Sequence, residues 1–370
     1  MLPDTTAPRI GSAWTDPPAP EPTSGPLTFE ELVLAGRNRG MPLEALRYDA
    51  TPTGLHYLLV HWDIPAVDAA TWRLRIAGLV RRPRALTLAD IRARAAQTLR
   101  VTMECAGNGR ARLSPRPVSQ PWLNEAVGTA EWTGAPLAPL LQEAGVIDGA
   151  VEIVFTGADR GIQGGIDQAY GRSLTIAEAM RPEVLLAIAM NGEPLQPQHG
   201  FPVRLLVPGW YGMASVKWLT GIEVVAQPFT GYQQTSAYRY QHDADDPGEP
   251  VTRIRVRALM IPPGIPDFFT RRRYVDSGRV VLQGRAWSGH GGIERVEVGV
   301  DGGWADATLD PVAGTHAWRG WTFAWDATRG EHELACRATD AAGNVQPLAQ
   351  PWNYQGMGNN LVQRVAVTAR

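Results

Sequence analysis

Cysteine is nearly absent from this chain: there are two in 370 residues, Cys105 and Cys336. Two distant thiols exclude a disulfide framework. Charge of either sign is not in excess, with 35 lysines and arginines against 37 aspartates and glutamates. No broad cationic field is therefore on offer to nucleic acid or anionic lipid, and no nucleic-acid partner is expected. No apolar run approaches the ~18 residues of a membrane span. The opening MLPDTTAPRIGSAWTDPPAPEP has neither a signal-type apolar core nor a twin arginine. The chain thus reads as soluble and cytoplasmic, or as periplasmic if a leader has been trimmed. Motifs are missing as well. Without GxxxxGK[ST], a strand-to-helix GxGxxG, HExxH, CxxC or GxSxG, the commonest nucleotide, zinc and hydrolase readings fall away.

Glycine (39), proline (30) and tryptophan (13) are plentiful, while 44 % apolar and 19 % charged residues are ordinary for a globular protein. Frequent turns and aromatic anchors suit a strand-rich molecule. The length allows two or three domains at ~100–200 residues each.

Residues 1–27 read as an extended proline-rich arm. From 28 to 245 helix-like and strand-like stretches alternate, which predicts an α+β (mixed α/β) domain. SLTIAEAMRP (173–182) and GAPLAPLLQEAGV (134–146) carry caps and stops for short helices, with Gly145 as C-terminal cap. HYLLVHWDI (56–64), VEIVF (151–155) and VRLLVPG (203–209) have strand composition. If 56–64 is a strand, His56 and His61 face opposite ways and cannot share a metal. The acidic DADDPGEP (243–250) reads as a linker. From 246 to 370, RVVLQGRAW, IERVEVGVDGG, HAWRGWTFAWD and HELACRATD alternate apolar and polar residues between turns. That pattern predicts an all-β sandwich of immunoglobulin-like architecture. Cys336 shares a strand face with Leu334 and Ala338 and reads as core.

VTMECAGNGR (101–110) is the stretch that invites chemistry. It reads as a strand end followed by a glycine turn. By spacing alone a buried structural cysteine is the plainer reading. Yet turn N–H groups and Arg110 favour thiolate, and a thiolate among small residues can ligate a soft or high-valent metal.

CAGNGR resembles the CAGNRR signature of the sulfite oxidase family of molybdenum enzymes. The resemblance extends in register through RNRGMP (37–42), AYGRSLTIAEAM (169–180), MNGEPLQPQHGFPVRLLVPGWYGMASVKWL (190–219) and NVQPLAQPWNYQGMGNNLVQRVAV (344–367). It implies a molybdopterin-binding sulfite-oxidase-like domain, then a dimerisation domain. One molybdopterin per chain would carry molybdenum, with Cys105 the protein's ligand to the metal. It further implies that Asn38, Arg39, Asp159, His199, Arg204, Ser215, Val216 and Lys217 hold the cofactor, aided by close backbone approach at Gly209 and Gly212. Arg37 and Arg110 match the arginines that hold an anionic substrate, and Trp122 the pocket tryptophan. The family's active-site tyrosine falls on Phe229, leaving Tyr232 as the next hydroxyl. A third pocket arginine falls on Gln355, and the glycine at 109 stands where the family has its other arginine. The expected activity is oxygen-atom transfer to a small sulfur oxyanion such as sulfite. The runner-up is reduction of an oxyanion or S- or N-oxide, or oxidation of another sulfur compound. With no haem domain and no C-x-x-C-H in sight, a separate electron acceptor, for example a cytochrome, is expected, and a homodimer.

Overall fold

The computed structural model describes residues 21–349 and 351–370. Most of the expected arm lies outside them. Within the described part, Thr23 bridges to Arg116, so residues 21–27 lie against the body of the protein. Helix Phe29–Arg37 follows. Thr28 caps it through a reciprocal capping box with Glu31, which satisfies two otherwise orphaned N–H groups. Glu31 is itself buried and paired to Arg116 at 2.7 Å.

The protein is mostly β, with few and short helices; Phe29–Arg37, at nine residues, is the longest α-helix described. The expected alternation of helix and strand therefore overstated helix. Two sheets build the first half. One runs Arg84–Leu86, Leu74–Gly78, Leu219–Val225, Glu152–Gln163, Ile166–Thr175, with a single parallel pair at its second junction. The other orders Gln97–Glu104, Val127–Pro136, Leu185–Met190 and Glu193–Pro194, with Arg204–Leu206 beside Leu185–Met190. Helix Leu137–Ala144 ends at Gly145, left-handed at φ 72°, as its sequence predicts. Thr175 caps helix Ile176–Ala179. The run 56–64 is not a strand. It makes one isolated bridge, Arg39 to Leu58, and otherwise follows an irregular path.

The second half is a two-sheet sandwich. One sheet is Arg257–Met260, Gly278–Trp287, Arg319–Ala327, Thr308–Leu309. The other is Ile265–Pro266, Arg273–Val275, Gln363–Ala369, Gly330–Asp340, Ile293–Val300, Gly303–Asp306. Leu282, Trp321, Trp325, Leu334, Cys336 and Val367 fill the space between. Fully burying such side chains is worth ~1.5–3 kcal/mol each.

The two halves share a core. Val251, Ile254, Leu259, Trp287 and Trp318 join the same apolar cluster as Leu74, Ile76 and Phe155. The acidic stretch is no free linker either, because Arg239–Tyr240 pairs with Glu249–Pro250 as a hairpin. At the seam Arg257 meets Glu104 at 3.1 Å, both almost fully buried. Trp287 Nε1 donates to Glu104 at 2.8 Å. The second half thus grips the residue immediately before Cys105.

Candidate active site

Strand Gln97–Glu104 delivers Cys105 to the wall of a half-open cleft. After Cys105 the chain turns sharply. Gly109 is left-handed at φ 90°, and a Cβ there would come 3.0 Å from Asn359 of the second half. Glycine adopts that left-handed backbone without strain. Asn359 Nδ2 donates to Gly109 O at 2.7 Å, and Gly358 N to Ala106 O at 2.7 Å. The cysteine loop is therefore clamped from the C-terminal half.

The Cys105 thiol is buried at 8 % exposure, and burial pushes its pKa up. The Arg110 charge, the Gly107 N–H and the Trp122 indole oppose that shift. All three favour thiolate. The Trp122 indole N–H is buried and has no acceptor of its own. Arg110 is 5 % exposed, and its guanidinium reaches only neutral partners. They are Gln355 O at 3.0 Å, Gln120 O at 3.3 Å and Met357 Sδ at 3.4 Å.

Tyr238, with Tyr57 and Tyr170, lines the cleft; Tyr232 does not. Tyr238 follows helix Tyr232–Thr235 with φ 58°, a left-handed residue that swings the ring into the cleft. Such strain in a non-glycine residue concentrates at functional sites. Burial raises its hydroxyl to about 12. Tyr170 stands beside it and donates to Met213 O at 2.9 Å. Tyr232 lies over the Gly164 turn, and Phe229 packs on Gly231 and Gly171, so neither lines the cleft.

The other end of the cleft is cationic. His199, Arg204, Ser215, Val216 and Lys217 line it together with Asp159. Arg204 donates to His199 O (3.1 Å) and Ser215 O (3.0 Å) and stacks on Trp132. Its Nε has no partner. Lys217 donates to Leu59 O (2.7 Å) and Gln198 O (3.1 Å). Burial, with Arg204 nearby, brings its pKa down to about 7. Burial, with His56 and then Arg204, holds His199 at about 3, so its ring is neutral. Asp159 sits where the ladder between Glu152–Gln163 and Ile166–Thr175 shifts register, an irregularity that re-aims a side chain. Burial lifts it to about 6, and its Oδ1 has no partner.

His56 and His61 both line the cleft. Their expected separation on opposite strand faces is overturned, because irregular backbone carries no alternation to separate them. His56 Nε2 is buried without a partner, while His61 Nε2 contacts Gln163 Oε1 at 2.6 Å. Among the described residues no three His, Cys, Asp or Glu side chains converge as a metal cluster.

The structure thus brings Cys105, Asp159, His199, Arg204, Ser215, Val216 and Lys217 into one cleft, with Arg110 and Trp122 behind the thiol. It does not bring Arg37, Asn38, Arg39 or Tyr232 to the lining. Arg37 is 41 % exposed, donates to Trp62 O and pairs with Asp63 at 3.4 Å. Asn38 is buried and accepts from Val60 N at 2.7 Å while donating to Gln120 at 3.0 Å, so it shapes the wall. Arg39 donates to Gly54 O. Gly212 lies on the cleft, where a Cβ would come 2.6 Å from the Tyr57 hydroxyl. Gly209 lies instead on the seam against Gly289.

Comparison with known proteins agrees with this organisation. Residues 61–233 match the model of the oxidoreductase molybdopterin binding domain, and 253–370 that of the Mo-co oxidoreductase dimerisation domain. Human mitochondrial sulfite oxidase is 33 % identical over 390 residues, covering 98 % of this chain and 69 % of that protein. Mouse mitochondrial sulfite oxidase is 34 % identical over 342 residues, covering 86 % and 61 %. An NADH nitrate reductase of Ulva prolifera is 33 % identical over 347 residues, covering 85 % and 40 %. The chain therefore spans roughly two fifths to two thirds of the length of these relatives. The crystal structure of the sulfane dehydrogenase SoxCD from Paracoccus pantotrophus superposes with TM-score 0.78 at 26 % identity, covering 100 % of this chain and 97 % of that one. No helix among the described residues is long and apolar enough to cross a membrane.

Proposed function

This chain belongs to the sulfite oxidase family of molybdenum-cofactor oxidoreductases, and on that premise we propose that it oxidises a small sulfur oxyanion such as sulfite. One observation carries the reading: a lone cleft thiol flanked by Arg110 shares its cleft with a pocket in which Arg204 and Lys217 supply charge and neutral His199 hydrogen-bonding capacity. The residues fit a molybdopterin. Arg204 Nε, His56 Nε2 and Asp159 Oδ1 are buried polar atoms without protein partners. A phosphate suits Arg204, Lys217 and the backbone around Ser215 and Val216, and a pterin N–H suits Asp159. Cys105 would be the protein's ligand to the metal. When bound, the cofactor supplies two-electron redox chemistry at molybdenum.

The protein's own share is binding, orientation and exclusion of water. Arg110 supplies positive charge beside the thiol, and it costs no reorganisation because three neutral acceptors already fix it. Tyr238 offers a hydroxyl that burial keeps protonated, a hydrogen-bond donor to an oxyanion. The Trp122 indole N–H acts on the Cys105 thiol from behind the cleft wall. Electrons leave to a separate acceptor, a cytochrome being one candidate. The 253–370 region supports a homodimer.

A second reading keeps the cofactor and changes the substrate. Gln355 is neutral where an arginine is expected, and the relatives named above act on different substances by their names alone. The test is metal and pterin analysis of protein from a molybdate-supplied host, followed by steady-state assay. Sulfite-dependent reduction of an artificial acceptor is expected. Protein full of molybdenum that ignores sulfite but turns over nitrate or an S-oxide with reduced viologen would establish the second reading. Protein without molybdenum or pterin would leave a non-enzymatic binding module.

A further inference from the structure

Arg110 and Arg172 both act on Tyr238, and neither is held in an ion pair; the carboxylate that bears on Arg172 is Glu152, which accepts from Phe229 N. Arg110, Arg172, Arg239 and Arg255 donate to backbone oxygens or a thioether, or lie over aromatic rings. The ion pairs among the described residues all involve other groups. For the two that are buried, Arg110 and Arg172, a guanidinium held without a directly paired carboxylate is costly to keep.

Arg172 is the most enclosed of the four at 2 % exposure. It shares a strand face with Tyr170, at i and i+2 on Ile166–Thr175. Its Nη1 donates to Gln233 O, and its Nε has no partner. Its guanidinium carbon stands 5.5 Å from the centre of the Tyr238 ring. Tyr238 in turn lines the cleft with Cys105. Gln355, one step away, cannot supply charge. Its amide donates to Ser236 O at 2.7 Å and to Gln241 at 2.5 Å, and its oxygen accepts from Arg239 N at 3.1 Å.

We propose that Arg172 is a positioning residue for an anionic substrate: it braces the Tyr238 ring and, with Arg110, supplies the positive field that neutral Gln355 lacks. The proposal rests on the reading that a small anion is handled beside Cys105. It makes the site a one-sided one. Positive charge comes from strand Ile166–Thr175 of the first half rather than from the C-terminal segment that carries Gln355.

The test uses the molybdenum-loaded protein and inorganic sulfate as a non-reacting probe, with affinity read by titration calorimetry. Molybdenum content and Tm are measured alongside. Arg172→Gln is expected to weaken sulfate about tenfold or more and to raise KM for sulfite more than it lowers kcat. Arg172→Lys keeps the charge and stays within about threefold. Adding Gln355→Arg to Arg172→Gln recovers most of the lost affinity. Equal sulfate affinity in wild type and Arg172→Gln, at equal molybdenum content, overturns the proposal. If Arg172→Gln does not fold, Gln355→Arg in the wild-type background decides. Tighter sulfate supports a charge-deficient site, and unchanged affinity overturns it. A wild-type protein that binds sulfate yet ignores sulfite strikes the choice of substrate and leaves this anion site standing. A wild-type protein that binds no sulfate overturns both.

Discussion

The molecule holds two buried thiols in different company. Cys336 is 0 % exposed, among Leu334, Ala338 and Val298 of the sandwich. Its polar neighbours are Gln363 at 3.9 Å and the backbone of Met260. Burial drives its pKa far up with little to oppose it. Cys105 is nearly as buried, yet a guanidinium, a turn N–H and an indole all pull toward thiolate. Burial alone therefore does not separate an inert cysteine from a working one. The surplus of donors does. Around Cys105 and its cleft, Trp122, Asp159, His56 and Arg204 keep polar atoms unspent, whereas the sandwich core around Cys336 leaves one, Trp321 Nε1.

The largest expected effect breaks this comparison directly. Cys105→Ser should leave fold and pterin content in place and lower kcat by about 10³-fold or more, equivalent to ~4 kcal/mol of barrier. Cys336→Ser should cost stability and leave turnover per molybdenum at the wild-type value. Activity surviving in the first variant would sink the assignment of Cys105 as ligand.

How much of this contrast was legible in sequence differs element by element. Strands with clean alternation, such as Gly330–Asp340, announced both themselves and the core placement of Cys336. Caps announced helix Leu137–Ala144. The cleft announced itself less. Its thiol and cationic end were legible only through resemblance, because loop cations and a lone histidine look like surface groups. His56 and His61 sit on irregular backbone, where no periodicity tells which way a side chain turns. Tyr238 was missed because φ 58° cannot be read from a tyrosine. Arg172 drew no reading of its own from sequence, and only tertiary packing buries it.

The next effect tests whether the sandwich is merely attached to the cleft or holds it. Glu104 and Arg257 form a buried pair across the seam, with Trp287 and Asn108 completing the carboxylate's bonds. Burial raises the Glu104 pKa, and the Arg257 charge opposes it. Glu104→Ala strands a buried guanidinium, so ~3 kcal/mol or more of stability should go. Because Glu104 precedes Cys105, molybdenum occupancy should fall as well. Differential scanning calorimetry and metal analysis read the two separately. Lost stability with full occupancy would make the seam structural only.

A smaller effect separates the cleft's polar groups from the apolar core by pH. Lys217 has a folded pKa of about 7 against 10.5 for the free side chain. Between those values the unfolded chain binds more protons than the folded one, so this group makes stability rise with pH. Asp159, at about 6, acts in the opposite direction, but only between 3.8 and about 6. In cofactor-free protein, Lys217→Met should therefore stabilise most at pH 7. The lysine is not fully enclosed, so the gain is on the order of 1–2 kcal/mol. It should fade toward pH 10. Urea unfolding at pH 7, 8, 9 and 10 reads the slope, and a pH-independent difference would mean that Lys217 is charged in the fold throughout.

The smallest effect returns to the other thiol. Cys336→Ala removes one buried sulfur from a packed sandwich and leaves a small void, for roughly 1 kcal/mol. No donor around it needs a thiolate, so nothing else should change: molybdenum content, KM and kcat per metal stay at wild-type values. Thermal unfolding beside steady-state kinetics makes the measurement. A fall in turnover per molybdenum without a matching fall in occupancy would show that the sandwich core reaches the cleft through more than the Glu104 seam, and the division between inert and working cysteine would have to be redrawn.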